Sequence, residues 1–556
     1  MSFTTLGPLG VVLVGFVPPA TGGTGVPAIG RFAAGGLLHA ATNATTRSVR
    51  TPAVIGDSVG FCHDGHGTQV AGPCRMRFIH VVFLGLGLAA CSSDGESDEP
   101  AKPVARATWH QDVAPIIAKR CTTCHQAGGI APFALTDYEA AVENSHRMMH
   151  EIERGAMPPF DAREDADCTP RFGWVDDPRL TSVEKATLRT WIEDGHALGT
   201  VAEMPAPPST ELSNISKTVA PATPFVTSGT RDQFICFVLD PGATKLEWLT
   251  GLQVRPQNHR VVHHANITEL LPTNLFHDSI VAQRGIGKPW DCSNEQQPGD
   301  FVVHVWTPGN QPMQTSGKIA VPIVANAKLV MQIHYHPVAL VNEPDTTAID
   351  LRYSTTWPER MYFVTAFGNE VGAPNLLPGE GDIGGTPRFL IPAMAPDHDE
   401  HMRITLPPGV AADTRLFSAN PHMHLIGTHI SATIERPAAR GTDPKTECLA
   451  NGAWNFDWQR TYQYDAPLDK LPTIASGDVI DVKCKWNNSF SNPFVQRMLD
   501  DAGLVAPIDV ALGEQTTNEM CLEIFGLSVP APPQTQARTF EMPQLGGLDL
   551  RAPKLR

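Results

Sequence analysis

The sequence predicts a mainly β protein of the sandwich type, with a small helical segment ahead of the strands. Three observations predict it. Forty-nine prolines and 47 glycines among 556 residues, with few long charged helical runs, favour strands and turns. From residue 217 onward, short apolar or alternating runs recur between Pro, Gly and Asn. Phe234-Ile235-Cys236-Phe237-Val238-Leu239 and Lys328-Leu329-Val330-Met331-Gln332-Ile333 are examples; such spacing suits sandwiches better than alternating β and α units. Ahead of them, Val113, Ile116 and Ile117 give a short amphipathic face. Thr181-Ser182-Val183-Glu184 is a capping box that opens a helix through Leu188, Trp191 and Ile192 and stops at Gly195.

The chain is long enough for three or more compact units. Met76-Arg77, the apolar run Val81 to Ala90 and Leu88-Ala89-Ala90-Cys91-Ser92-Ser93 make a basic start, a short apolar core and small residues before a cysteine. Residues 76–91 therefore resemble a bacterial lipoprotein signal. That resemblance implies an exported protein of the cell envelope, in the periplasm or at the outer membrane, anchored through a lipidated Cys91. Residues 1–75 contain no Lys and no Glu and show no sustained period. They are expected to be a spurious or disordered extension, in which Cys62 and Cys74 carry no function. A polar linker follows over 92–104. Export permits disulfides among the remaining cysteines. The formal charge of -16 excludes the basic face that a nucleic-acid partner would need.

The helical segment, 105–200, contains Cys121-Thr122-Thr123-Cys124-His125. C-x-x-C-H is the pattern of covalent haem attachment, with two thiols taking the vinyl groups and the histidine ligating iron. Half a zinc site is the alternative, but no second C-x-x-C follows and an export signal precedes it. With helices on either side, the segment resembles a small cytochrome c. The sixth ligand is best placed at Met157 in Gly155-Ala156-Met157-Pro158-Pro159-Phe160, where the prolines stiffen the loop. His146 and His150 are the rival ligands, and Met148 and Met149 are expected to be packing residues.

After a linker over 201–216, histidines gather in three places: Val261-Val262-His263-His264-Ala265, Met331-Gln332-Ile333-His334-Tyr335-His336, and Asn420-Pro421-His422-Met423-His424. Two histidines two apart on an extended strand share a face. Adjacent histidines face opposite ways, so the His263-His264 pair can serve one ion only if the strand bulges. Each histidine alone is more often a core or surface residue than a ligand. Three clusters, joined by the soft sulfur of Met520, point instead to copper.

The ordered set Val262-His263-His264, Gln332-Ile333-His334-Tyr335, His422-Met423-His424 and Glu519-Met520-Cys521 resembles the copper type II, ascorbate-dependent monooxygenases. That is the peptidylglycine α-hydroxylating and dopamine β-hydroxylating family. Val305-Trp306-Thr307-Pro308-Gly309 and Cys484-Lys485-Trp486-Asn487-Asn488 also look like family segments, and the likeness runs from about residue 217 to 530. The resemblance implies two jelly-roll-like β-sandwich domains, 217–395 and 396–530, preceded by the small α-helical cytochrome c domain and followed by a tail at 531–556. It implies two copper ions: an electron-relaying one on His263, His264 and His334, and a catalytic, oxygen-binding one on His422, His424 and Met520. A wet cleft would lie between them. It also implies a disulfide between Cys484 and Cys521, whereas the partners of Cys168, Cys236, Cys292 and Cys448 stay open and Cys168 could belong to the haem segment. The expected activity is hydroxylation of a C–H bond of a small organic substrate by O2. The electrons would come through covalently attached haem c on Cys121, Cys124, His125 and Met157, from ascorbate or a periplasmic donor.

Two departures bear on that expectation. Peptide-amidating members carry a basic residue two before the first of the paired histidines, and polar residues two and four after the methionine. Here Asn420, Leu522 and Ile524 stand there, so a clamp for a peptide carboxylate is missing. His259, His304 and His336 have no role implied by the family. The rival reading is non-enzymatic: a surface lipoprotein that binds copper or passes electrons between haem and copper.

Overall fold

The computed structural model describes residues 106–535, apart from 128–130, 207–208, 210, 230, 294–296, 309, 338–340, 370–374, 380–381 and 514. The extension, the signal with Cys91, the linker 92–104 and most of the tail lie outside the described residues.

Helices come first, as the periodicity predicts. A π-turn at Trp109–Val113 runs into Ala114–Arg120, and Tyr138–Glu143, Ser145–Glu153 and Ser182–Glu193 follow. Their core is small: Val113, Ile117, Leu188 and Trp191 are fully buried, and Trp109 packs against the rings of Tyr138 and Trp191. Met148 and Met149 are buried in this core. The capping box at Thr181 forms in both directions, Glu184 N–H to Thr181 Oγ1 at 3.1 Å and Thr181 N–H to Glu184 Oε2 at 2.7 Å. The Glu184 carboxylate also takes a two-pronged contact from Arg120, both arms at 3.1 Å, which ties this helix to the one entering the C-x-x-C-H motif. Thr181→Ala is expected to lower the unfolding free energy by about 1 kcal/mol, read from a urea titration followed in the helical circular-dichroism band.

The rest is mainly β. A five-stranded antiparallel sheet has the order Pro289–Asp291, Gln233–Leu239, Lys328–Tyr335, Val262–Leu270, Phe301–Trp306. A four-stranded sheet has the order His398–Thr405, Val479–Trp486, Gly427–Glu435, Thr446–Ala453. Between residue 217 and residue 530 a ten-stranded sheet takes strands from both halves. Its seam is Arg360–Gly368 against Leu522–Pro530, in unbroken antiparallel register, and Leu522–Pro530 pairs on its other side with Thr414–His422. The stretches 217–395 and 396–530 thus share one sheet and one apolar core. Gly368 makes the seam possible: its φ is +129°, and a Cβ there would collide with the Cys521 carbonyl oxygen.

Three disulfides staple this framework, Cys168–Cys448, Cys236–Cys292 and Cys484–Cys521. Cys168 therefore reaches across to the four-stranded sheet. Around it, Phe160, Ala162 and Trp174 pack into the β core, and backbone bridges join Ala162 to Gly452 and Trp174 to Tyr464. The stretch 105–200 is divided between two cores, a helical one and the β one. Among the described residues, Cys121 and Cys124 are the cysteines outside any disulfide. No helix among them is long and apolar enough to cross a membrane.

Candidate metal centre

The strand Val262–Leu270 pairs with Lys328–Tyr335 so that His264 faces His334 while Tyr335 faces Val262. His263 is the extra residue between those pairs, a β-bulge of the kind an adjacent histidine pair requires to turn both rings one way. The outcome is a cluster of His263, His264 and His334 whose ligand atoms all lie within 4.8 Å of one another. His264 Nδ1 is the hub, 3.1 Å from His263 Nδ1 and 3.4 Å from His334 Nδ1. Four ligands about 2.0–2.1 Å from a tetrahedral ion stand about 3.3–3.4 Å apart, so these edges have the length a coordination sphere would give. Burial, and then the charge of neighbouring imidazoles, hold His263 and His264 well below the usual histidine range. They are neutral near pH 7, the form that ligates metals.

Outer contacts fix the rings. His334 stacks on Phe234 at 4.4 Å and His263 on Phe456 at 4.4 Å. The Asp232 carboxylate stands 3.3 Å from His334 Nε2 and accepts from His336 Nδ1 at 2.7 Å. Burial pushes the Asp232 carboxyl up, but His334, His336 and Thr516 outweigh it and hold it well below the usual carboxylate range. His336 thus belongs to the surround of the cluster. His259 is exposed. His304 is buried with its Nε2 unpartnered, and burial lowers its pKa to about 4.

The second set lies on the seam. His422 closes the strand Thr414–His422, opposite Leu522. Met423 turns into the core, fully buried, so His422 and His424 share the other side. His422 Nδ1 meets Gln459 Oε1 at 3.1 Å and His424 Nδ1 meets the Asn518 carbonyl at 3.2 Å. Acceptors at both Nδ1 atoms place the proton there and leave each Nε2 as a lone pair. Burial brings the two pKa values down to about 4 for His422 and about 3 for His424. Met520 lies two residues before Leu522, the partner of His422. Met520 is 9% exposed, and its N–H and that of His424 go to the same carboxylate oxygen, Glu519 Oε2, at 3.2 and 2.9 Å. No cleft separates the ring of His422 from that of His264, whose centroids are 6.1 Å apart, edge to face. Phe456, stacked on His263, comes from the half of the chain that carries His422, and the two sets form one neighbourhood of five imidazoles.

At the C-x-x-C-H motif, His125 Nδ1 lies 3.0 Å from the Phe133 carbonyl oxygen, which leaves Nε2 as the free ligand atom. Burial pushes the Cys121 thiol up to about 12 and raises that of Cys124, where the Arg460 charge works against it. Met157 follows on a loop, 40% exposed, and His146 and His150 are exposed on their helix. None of the three is among the hydrogen-bond or ring partners of His125.

Asp232, Phe456, Gln459 and Thr516 have no sequence signal; they sit in connections that only the fold brings to the histidines. Glu519 had one, being a carboxylate beside Met520 and Cys521 in an apolar run, and Asn518 contributes only its backbone.

No family model and no curated protein matches the chain. Among solved structures, the major capsid protein P2 from bacteriophage PM2 aligns at 9% identity over 57% of this chain and 98% of its own, with a TM-score of 0.25. The VP2 subviral particle of infectious bursal disease virus aligns at 9% identity over 60% and 84%, with a TM-score of 0.13. Scores this low carry no argument about fold or function.

Proposed function

We propose that the chain is an exported, lipid-anchored copper monooxygenase that resembles the copper type II, ascorbate-dependent family in its ordered histidine and methionine motifs. It would hydroxylate a C–H bond of a small organic substrate and carry its own cytochrome c-like electron donor. The observation that carries this reading is the convergence of His263, His264 and His334, with ligand atoms within 4.8 Å of one another and His264 Nδ1 at 3.1 and 3.4 Å from the other two Nδ1 atoms, beside two imidazoles whose Nε2 atoms are left as lone pairs. Neutral, pre-oriented imidazoles suit copper, and a thioether from Met520 would favour Cu(I). Copper bound there would supply the oxygen chemistry, and haem on Cys121, Cys124 and His125 the electrons.

The chain's own part is placement. The bulge at His263 turns two successive rings one way, and Asp232 steadies His334 from behind. Gln459 and Asn518 hold protons on the Nδ1 atoms of His422 and His424, so those rings meet an ion only through Nε2. Glu519 keeps the backbones of His424 and Met520 together. Asn420, Leu522 and Ile524 give a substrate no charged grip, which favours a neutral small molecule over a peptide carboxylate.

The 6.1 Å approach of His264 to His422 favours a second reading, a carrier that passes electrons between haem and copper without substrate. Incubation of the copper-loaded protein with reductant, cell-envelope extract and 18O2 separates the two. A monooxygenase puts one labelled oxygen into an organic product, and Met520→Ile stops this while haem reduction continues. Haem and copper turnover with no labelled product would establish the carrier instead.

A further inference from the structure

One connection touches both histidine sets. Phe456 stacks on His263, and Gln459, 5% exposed, meets His422 Nδ1 through Oε1. The amide of Gln459 is not free to flip: its Nε2 donates to the Phe456 carbonyl at 3.2 Å, so Oε1 is the end turned to His422. The backbone is clamped to the segment after Phe301–Trp306, with Thr307 Oγ1 donating to the Gln459 carbonyl at 2.7 Å and Thr461 N–H to Asn310 Oδ1 at 3.1 Å. Thr461 Oγ1 accepts from Asn420 Nδ2 at 2.8 Å, two residues before His422.

The far side of the same connection is held by the haem-side segment. Arg460 lies over the Phe160 ring at 5.5 Å, Tyr462 meets that ring edge-on at 5.2 Å, and Trp174 lies 5.5 Å from Tyr462. Asp161 N–H reaches the Tyr462 hydroxyl at 3.3 Å. Beyond these rings Cys168–Cys448 and the Arg171 contacts to Asp443 and Glu447, each 2.7 Å, fix the segment covalently and by charge.

We infer that the connection 456–462 couples the docking of the haem-side segment to the His422 ligand, with Gln459 as the positioning residue. The inference rests on the reading of His422 as a metal ligand. It makes the haem segment a fixed neighbour of the second histidine set rather than a donor swinging on a tether. Phe160 and Tyr462 hold the loop, the loop holds Gln459, and Gln459 sets the tautomer and plane of His422.

The test uses the full chain with haem attached, stripped of metal and titrated with Cu(II) alone, followed by electron paramagnetic resonance and metal content per chain. Wild type is expected to give two distinguishable ions. Gln459→Leu weakens one of them by about tenfold to a hundredfold, the usual cost of losing such an outer partner, and leaves the other unchanged. Gln459→Glu keeps an acceptor at Nδ1 but loses the donation to the Phe456 carbonyl, so it restores part of the affinity. Phe160→Ala, which touches no ligand, shifts the spectrum of that same ion. Wild-type affinity and spectrum in Gln459→Leu, or an unaltered spectrum in Phe160→Ala, overturns the coupling while leaving the copper reading intact. Absence of a second ion in wild type overturns both.

Discussion

His264→Ala is expected to empty the three-imidazole cluster. His264 is the hub, its Nδ1 being 3.1 Å from one ring and 3.4 Å from the other. Removing it leaves two ligands that no longer share a common neighbour. A four-ligand structural zinc site is worth about 10–16 kcal/mol, so each ligand contributes about 2.5–4 kcal/mol, roughly a hundredfold to a thousandfold in affinity. His336→Ala is the comparison, since His336 bonds Asp232 and lies beside His263, ring centroids 6.5 Å apart, without being one of the three clustered ligands. It is expected to cost about tenfold, as outer partners do. Metal content after equilibration against a chelator of known strength reads both. Full retention of the ion in His264→Ala would mean that the convergence of these rings is core packing and nothing more. The melting temperature of the metal-free variant guards against the trivial outcome, because His264 is only partly buried and alanine fits a strand position beside Ala265.

Parts of this arrangement are legible in the chain, for physical reasons. Adjacency of His263 and His264 on an apolar run demands a bulge if both rings are to serve one ion, and a bulge stands there. The Thr181 capping box is local, set by residues three apart, and it forms. What local pattern cannot carry is partnership between distant strands. Arg360–Gly368 and Leu522–Pro530 are both largely buried runs, and nothing in their period says that they pair across the boundary drawn at residue 395. Phe160, Ala162 and Trp174 follow the C-x-x-C-H motif so closely in sequence that they read as part of the helical unit. Their apolar surface is nevertheless buried against the 450–465 region. Cys168 goes with them, which is why its partner Cys448 lies 280 residues away. Gln459 and Asp232 are invisible for a related reason: a polar residue in a connection looks solvated until the fold closes over it.

Glu519→Leu is expected to unfold the second half of the β region even in metal-free protein. The carboxylate is fully buried, and Oε2 takes His424 N–H at 2.9 Å, Trp486 Nε1–H at 2.9 Å and Met520 N–H at 3.2 Å. Oε1 takes Ile426 N–H at 2.9 Å. Burial pushes its pKa up to about 7, with the four donors working against that rise. Leucine has a similar volume, so no large cavity forms, and the cost falls on the donors. Each buried N–H left without an acceptor costs about 1–3 kcal/mol, so four of them cost at least about 4 kcal/mol. That is comparable with the low end of the roughly 5–15 kcal/mol by which folded proteins exceed their unfolded chains. Glu519→Gln separates hydrogen bonding from charge. Its carbonyl oxygen can still serve the donors at one position, while its NH2 group faces an N–H at the other, so a smaller loss is expected. Urea unfolding followed by tryptophan fluorescence orders the three proteins, and Trp486, fully buried and bonded to this carboxylate, is a direct reporter. A leucine variant as stable as wild type would mean that water reaches the four donors and that Glu519 is not the brace. The same carboxylate oxygen binds the backbones of His424 and Met520, so a genuine brace loses its fold and its second metal position together. A residue needed for the ligands alone would lose the metal and keep the fold.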